Sequence, residues 1–95
     1  MVLHLFGFQW KAGVTEDVKE RVAREIRALQ ANIPGLLETH VGINFSPRSQ
    51  GYAFGGVMKF VNRPALEAYQ THPAHLKLLE WLIPLIEAVE VDFED

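Results

Sequence analysis

The sequence predicts an α+β domain built in the order β-α-β-β-α-β. Three observations carry this. Val2–Trp10 and residues 52–61 are apolar at nearly every position, as strands covered on both faces are. Residues 37–45 and 89–93 alternate apolar and polar side chains, the period of a half-buried strand. Between the strands lie stretches whose apolar residues recur at three- and four-residue steps, the repeat of a helix with one buried stripe.

Taken in order, the first strand ends in a turn at Lys11, Ala12 and Gly13. Thr15 is placed to cap the first helix, with Glu16 and Asp17 putting negative charge on its first turn. Val18, Val22, Ile26, Leu29 and Ile33 form its apolar stripe. Asp17/Arg21, Glu20/Arg24 and Arg21/Glu25 stand four residues apart on a solvated outer face. Pro34 disfavours helical geometry at Ile33 and ends the helix. In the second strand Leu37, Thr39, Val41, Ile43 and Phe45 share the face expected to be buried. Glu38, His40, Gly42 and Asn44 share the wet one, which leaves His40 in solvent. Residues 46–51 form a turn or short loop. The third strand is apolar on both faces except at Lys59, and Gly55-Gly56 within it signals close packing of the backbone. Asn62, Arg63 and Pro64 open a second helix over residues 65–71. His72-Pro73 breaks it, and residues 73–87 resume as a helical segment that Pro84 kinks or shortens. Val89, Val91 and Phe93 then alternate with Glu90, Asp92 and Glu94 in a last strand, whose acidic side is expected to face outward.

This order is the ferredoxin-like split motif, with an antiparallel sheet whose first and third strands are central and whose second and fourth are edges. The patterning agrees independently, because the two strands apolar on both faces are the first and third. Both helices cover one face of such a sheet. The first strand nevertheless offers Leu3 and Leu5 to one face and Phe6, Phe8 and Trp10 to the other. A bare apolar sheet is sticky, and a second copy packed sheet against sheet buries it. A homodimer through the sheet face is therefore expected.

Composition narrows the function classes. Ninety-five residues fit one domain, spanning 1–95. With 48% hydrophobic and 22% charged residues, the chain is not a disordered tail. The absence of cysteine excludes a disulfide scaffold, thiolate metal ligation and thiol catalysis. Nine basic residues against twelve acidic ones argue against nucleic-acid binding. No apolar run is long enough for a membrane span, and residues 1–10 lack the marks of a signal peptide, so a cytoplasmic location is expected. There is no Gly-rich phosphate loop leading into a helix and no nucleophile elbow.

Histidines carry what chemistry the sequence offers. Two of the four lie in Tyr69-Gln70-Thr71-His72-Pro73-Ala74-His75, where Tyr69, His72 and His75 are spaced by threes. His4 shares a strand face with Phe6 and Phe8. Histidine titrates near neutrality and shifts with its surroundings, which suits it to proton transfer. A tyrosine hydroxyl can donate to a developing enolate oxygen in a dry site. The expectation is a pocket between sheet and helices. In it His4 and His75 form a proton-transfer pair, Tyr69 is the hydroxyl donor, and Phe6, His72 and Trp81 contact a small apolar or aromatic ligand. Structural roles compete: His72 can cap a helix, His4 can be a buried ring bonded to a carbonyl, and Tyr69 can be plain core. No His-x-x-x-His or His-Glu-x-x-His occurs, and neither a metal nor a cofactor is expected.

Across nearly the full length the chain resembles the stress-responsive A/B barrel domain family of dimeric α+β barrels. The matching residues are His4, Val14-Thr15-Glu16, Ile33-Pro34-Gly35, Val41-Gly42-x-Asn44-Phe45-Ser46-Pro47, Tyr69-x-x-His72-Pro73-x-His75 and Val91-Asp92-Phe93. The resemblance implies a ferredoxin-like monomer whose sheet packs on a second copy. Most members have no assigned reaction, and some are associated with stress. A few resemble polyketide cyclases, in which the first-strand histidine and the Tyr/His pair do acid–base work on a β-keto substrate. Those roles fall here on His4, Tyr69 and His75. The expected function is a small-molecule-binding homodimer of unassigned, stress-related role. The alternative is a cofactor-free enzyme of polyketide-cyclase-like or isomerase type, acting on a β-keto or phenolic substrate.

Overall fold

The computed structural model describes residues 1–95. Strand β1 (Val2–Trp10) leads to helix α1 (Glu16–Ala28), which tightens into a 3₁₀ turn at Leu29–Ala31. Strands β2 (Leu36–Ile43) and β3 (Phe54–Phe60) follow, then helices α2 (Arg63–Gln70) and α3 (Pro73–Leu82), a 3₁₀ turn at Ile83–Leu85, and strand β4 (Ile86–Glu94). The sheet runs β2-β3-β1-β4 with every pair antiparallel, so the two strands apolar on both faces are the central ones. This is the ferredoxin-like α+β fold. No helix is long and apolar enough to cross a membrane.

Local chemistry sets most boundaries. Thr15 Oγ1 accepts the Val18 N–H at 3.3 Å and caps α1, and Asn62 Oδ1 accepts the Ala65 N–H at 2.9 Å and caps α2. The chain turns after α1 at Gly35, whose φ of +80° suits a residue without a side chain. A Cβ there would also stand 2.7 Å from that of Ala65. The break at His72-Pro73 separates α2 from α3. Pro84 does more than kink its helix. The chain tightens into the 3₁₀ turn and is already extended at Ile86, which pairs with Trp10. Residues 86 and 87, expected to be helical, therefore belong to β4.

Between sheet and helices lies one core. From the sheet come Val2, Phe6, Phe8, Phe54, Met58 and Phe60. Val22 and Ile26 of α1, Leu66 and Tyr69 of α2, and Leu78 and Leu82 of α3 close over them. Rings of Phe8, Phe54 and Trp10 pack together with centroids 5.6–6.1 Å apart.

Two expectations about strand faces change. In β2 the register runs from Leu36 opposite Phe60 directly to Glu38 opposite Lys59. Leu37 is thus the extra residue of a bulge. Leu36 takes the buried place and Leu37 is 45% exposed. Farther along, Ile43 and Phe45 are 82% and 96% exposed. In β4 the faces are reversed. Val89, Val91 and Phe93 lie opposite Gly7, Leu5 and Leu3, on the sheet face that the helices leave open. Glu90, Asp92 and Glu94 lie opposite Phe6, His4 and Val2, on the helix side. An edge strand only partly overlaid by helices leaves water for carboxylates on that side.

The open face is consequently apolar. Leu3, Leu5, Val57, Val89, Val91 and Phe93 share it, bordered by the Lys59–Glu38 ion pair and His40.

Candidate functional site

On β1, the period of two sends His4, Phe6 and Phe8 toward the helices. Tyr69 comes from the end of α2 and His75 from the first turn of α3. The two segments meet at the His72-Pro73 break, which brings the Tyr69 and His75 rings to a centroid distance of 4.1 Å. The break is held by His72, whose Nδ1 accepts the Ala74 N–H at 3.1 Å and caps α3, with Pro73 in the first helical position.

Each remaining ring is oriented by a partner. His75 Nδ1 lies 3.2 Å from the Gln70 carbonyl oxygen. A carbonyl only accepts, so Nδ1 carries the proton and Nε2 of the neutral ring is a base. His4 Nδ1 meets the Asp92 carboxylate, because the β1–β4 register sets the two residues directly opposite each other. The carboxylate fixes the proton on Nδ1 and leaves Nε2 as the free nitrogen. His4 is therefore bonded to a side-chain carboxylate and not to a backbone carbonyl. It is also the one polar residue among the buried set. Its ring lies 6.1 Å from that of Tyr69 and 5.7 Å from that of Phe6.

His4, Phe6, Tyr69 and His75 all line one cavity of about 270 Å³, whose remaining wall is mostly aliphatic, as at Ile26 and Leu78. The three residues expected to do acid–base work are thus brought together, and Phe6 is with them. The other two expected ligand contacts are not. His72 is absent from the lining because it caps α3. Trp81 lies between α1 and α3, with the Arg21 guanidinium 4.1 Å from its ring centroid.

Sequence reasoning missed two carboxylates: Asp92, which holds His4, and Glu90, which lines the cavity. Asp92 stood in the Val91-Asp92-Phe93 match without a role, and for Glu90 the signal was the alternation of β4, which does not say which of two faces is covered.

The electrostatics suit proton transfer. Burial pushes the His75 imidazole below its ordinary value, opposed in part by its hydrogen bond to Gln70. At neutral pH it is an uncharged base. Burial, reinforced by the Glu90 charge, pushes the Tyr69 phenol well above its ordinary range, so it stays protonated and donates. No buried side-chain nitrogen or oxygen lacks a hydrogen-bond partner. A neutral base, a phenol donor and a carboxylate-oriented imidazole around an apolar space can move a proton next to a carbonyl and stabilise the resulting oxyanion. No three His, Asp or Glu side chains are grouped to hold a metal ion.

The family model described as Stress responsive A/B Barrel Domain matches residues 2–95. Among solved structures, the chain is similar to a protein from Arabidopsis thaliana, with 22% identity and a TM-score of 0.92 over 100% of this chain and 95% of that one. It is similar to a dimeric ferredoxin-like protein of unknown function from Thermobifida fusca, with 29% identity and a TM-score of 0.86 over 99% and 90%. It shares the fold of a hydroxynitrile lyase from Passiflora edulis, with 16% identity and a TM-score of 0.89 over 97% and 90%. No curated protein matches the chain.

Proposed function

Because the chain belongs to the stress-responsive A/B barrel domain family, we propose that it is a homodimer that binds a small apolar or aromatic molecule bearing a carbonyl or phenolic oxygen. One observation carries the reading: His4, Tyr69 and His75 converge on a single apolar cavity. Space of this kind, with a few polar groups aimed at one end, is how small-molecule sites are built. The open sheet face supports the dimer. A contiguous patch including Leu5, Val57 and Val91 is costly to leave in water, and a second copy laid against it removes that cost. The relative from Thermobifida fusca is described as dimeric. A stress-related role follows the family's description, and a cytoplasmic location fits a chain without cysteine.

A second reading is favoured by the proton inventory: a cofactor-free enzyme of polyketide-cyclase-like or isomerase type on a β-keto or phenolic substrate. His75 Nε2 takes the proton from the carbon beside a carbonyl, and the electron pair moves onto the carbonyl oxygen. The Tyr69 hydroxyl donates to that oxygen, and His4, held by Asp92, orients the substrate.

The test is NMR of the histidine rings, each assigned by single substitution, during titration with 4-ethylphenol. The His4 and His75 signals should move together. Tyr69→Phe should weaken binding about two- to tenfold, the worth of one hydrogen bond. If neither ring responds at any soluble concentration, the binding reading fails. A well-folded His75→Ala that retains full turnover of a substrate found by screening sinks the enzymatic one.

A further inference from the structure

Strand β4 carries four carboxylates, and three have cationic or imidazole partners within the chain. Glu87 faces Lys11 at 3.9 Å, Asp92 holds His4, and Glu94 pairs with Arg63. Glu90 has no such partner, and it is the one carboxylate that lines the cavity. Its position is set by register: it lies opposite Phe6, on the helix side of the sheet. Of the thirteen lining residues, ten are hydrophobic, and Glu90 joins only His4 and His75 outside that group. Its charge reaches both Tyr69 and His75.

From this unpaired carboxylate on an otherwise apolar cavity, we infer that the ligand carries a protonated amine that Glu90 receives. The inference rests on the binding reading above and names the ligand class within it: a small aromatic or aliphatic amine with a phenolic or carbonyl oxygen at its other end. The apolar lining takes the body of the molecule. Tyr69, His75 and His4 take the oxygen. Glu90, exposed at the rim, supplies the one fixed charge, which attracts an ammonium and repels a carboxylate. Glu90 is a specificity-determining residue in this account, and acidic substrates are disfavoured.

A matched series of phenols tests this. Tyramine, 4-ethylphenol and 3-(4-hydroxyphenyl)propanoate share the ring and hydroxyl and differ only in the charge at the far end. Their affinities are measured by calorimetry on the full chain at low ionic strength. Tyramine should bind about fivefold more tightly than 4-ethylphenol, the upper end for an exposed ion pair, and the propanoate correspondingly more weakly. Raising the salt should shrink both differences. In Glu90→Gln the ratio of tyramine to 4-ethylphenol affinity should fall to about one, and this ratio is the readout because the Glu90 charge also reaches Tyr69 and His75.

If 4-ethylphenol binds and moves the histidine signals but tyramine shows no advantage, the amine inference is overturned and the binding reading stands. The same holds if the advantage survives Glu90→Gln. If none of the three binds, the binding reading fails and the inference falls with it.

Discussion

Gly56 is where the sheet and the cavity depend on the same missing atom. It lies in the middle of β3, between Phe6 of β1 and Val41 of β2. A Cβ added there would stand 2.7 Å from Phe6 Cε2 and 2.8 Å from Val41 Cγ1, well inside the ~3.5 Å at which carbon atoms normally meet. The Phe6 ring is hemmed in along its strand and can yield only into the cavity. It stacks on Phe8 at 5.3 Å, lies 5.7 Å from the His4 ring and forms part of the cavity wall. Gly56→Ala is therefore an overpacking substitution and should cost about 1–3 kcal/mol. For a domain of this size each kcal/mol lowers Tm by about 4–8 °C, so a fall on the order of 10 °C is expected.

The assay is thermal denaturation followed by circular dichroism. Protein concentration is held fixed, because a dimer's Tm depends on it. Gly42→Ala is the control: within one chain its Cβ meets nothing within 4 Å, so it should cost less than Gly56→Ala. The cycle with Phe6→Leu locates the cause, since removing the ring should relieve at least about 1 kcal/mol of the Gly56→Ala penalty. Should Gly56→Ala melt like the control, or cost the same in both backgrounds, the close approach of Phe6 is not what requires glycine there and the reasoning is wrong.

Three further outcomes follow from the site and the open face. Burial holds His75 below its ordinary 6.5, so the folded chain takes up fewer protons than the unfolded one as pH falls. The stability it contributes is complete above that value and is lost below it. His75→Gln should flatten this loss, as read from urea denaturation at about pH 7.5 and about pH 5.5. His72→Ala should cost ~1 kcal/mol by uncapping α3 and leave binding of 4-ethylphenol unchanged, with His72→Asn restoring stability. Loss of binding without loss of stability would contradict the capping role. Val91→Lys places a charge on the open sheet face at a residue already 54% exposed in the single chain. Light scattering should show a folded monomer where the parent is a dimer, and a parent that is itself monomeric at micromolar concentration refutes the dimer.

How much of this was legible in advance depends on the range of the interaction involved. Two-sided apolar runs placed β1 and β3 at the centre of the sheet, and the pairing agrees. Thr15 and Asn62 marked the starts of α1 and α2, and His72-Pro73 marked the break that seats Tyr69 against His75. These are local effects, written in a few consecutive residues. Other features needed the folded chain. A bulge at Leu37 exchanged the roles of two adjacent leucines. Trp81 turned toward Arg21 and away from the cavity. The acidic residues of β4 took the helix side, and this gave His4 its carboxylate from a residue 88 positions away. Alternation along a strand records that its faces differ. Which face meets the helices is set by pairing with β1 and by how far the helices extend over the sheet's edge, and neither is encoded within the strand itself.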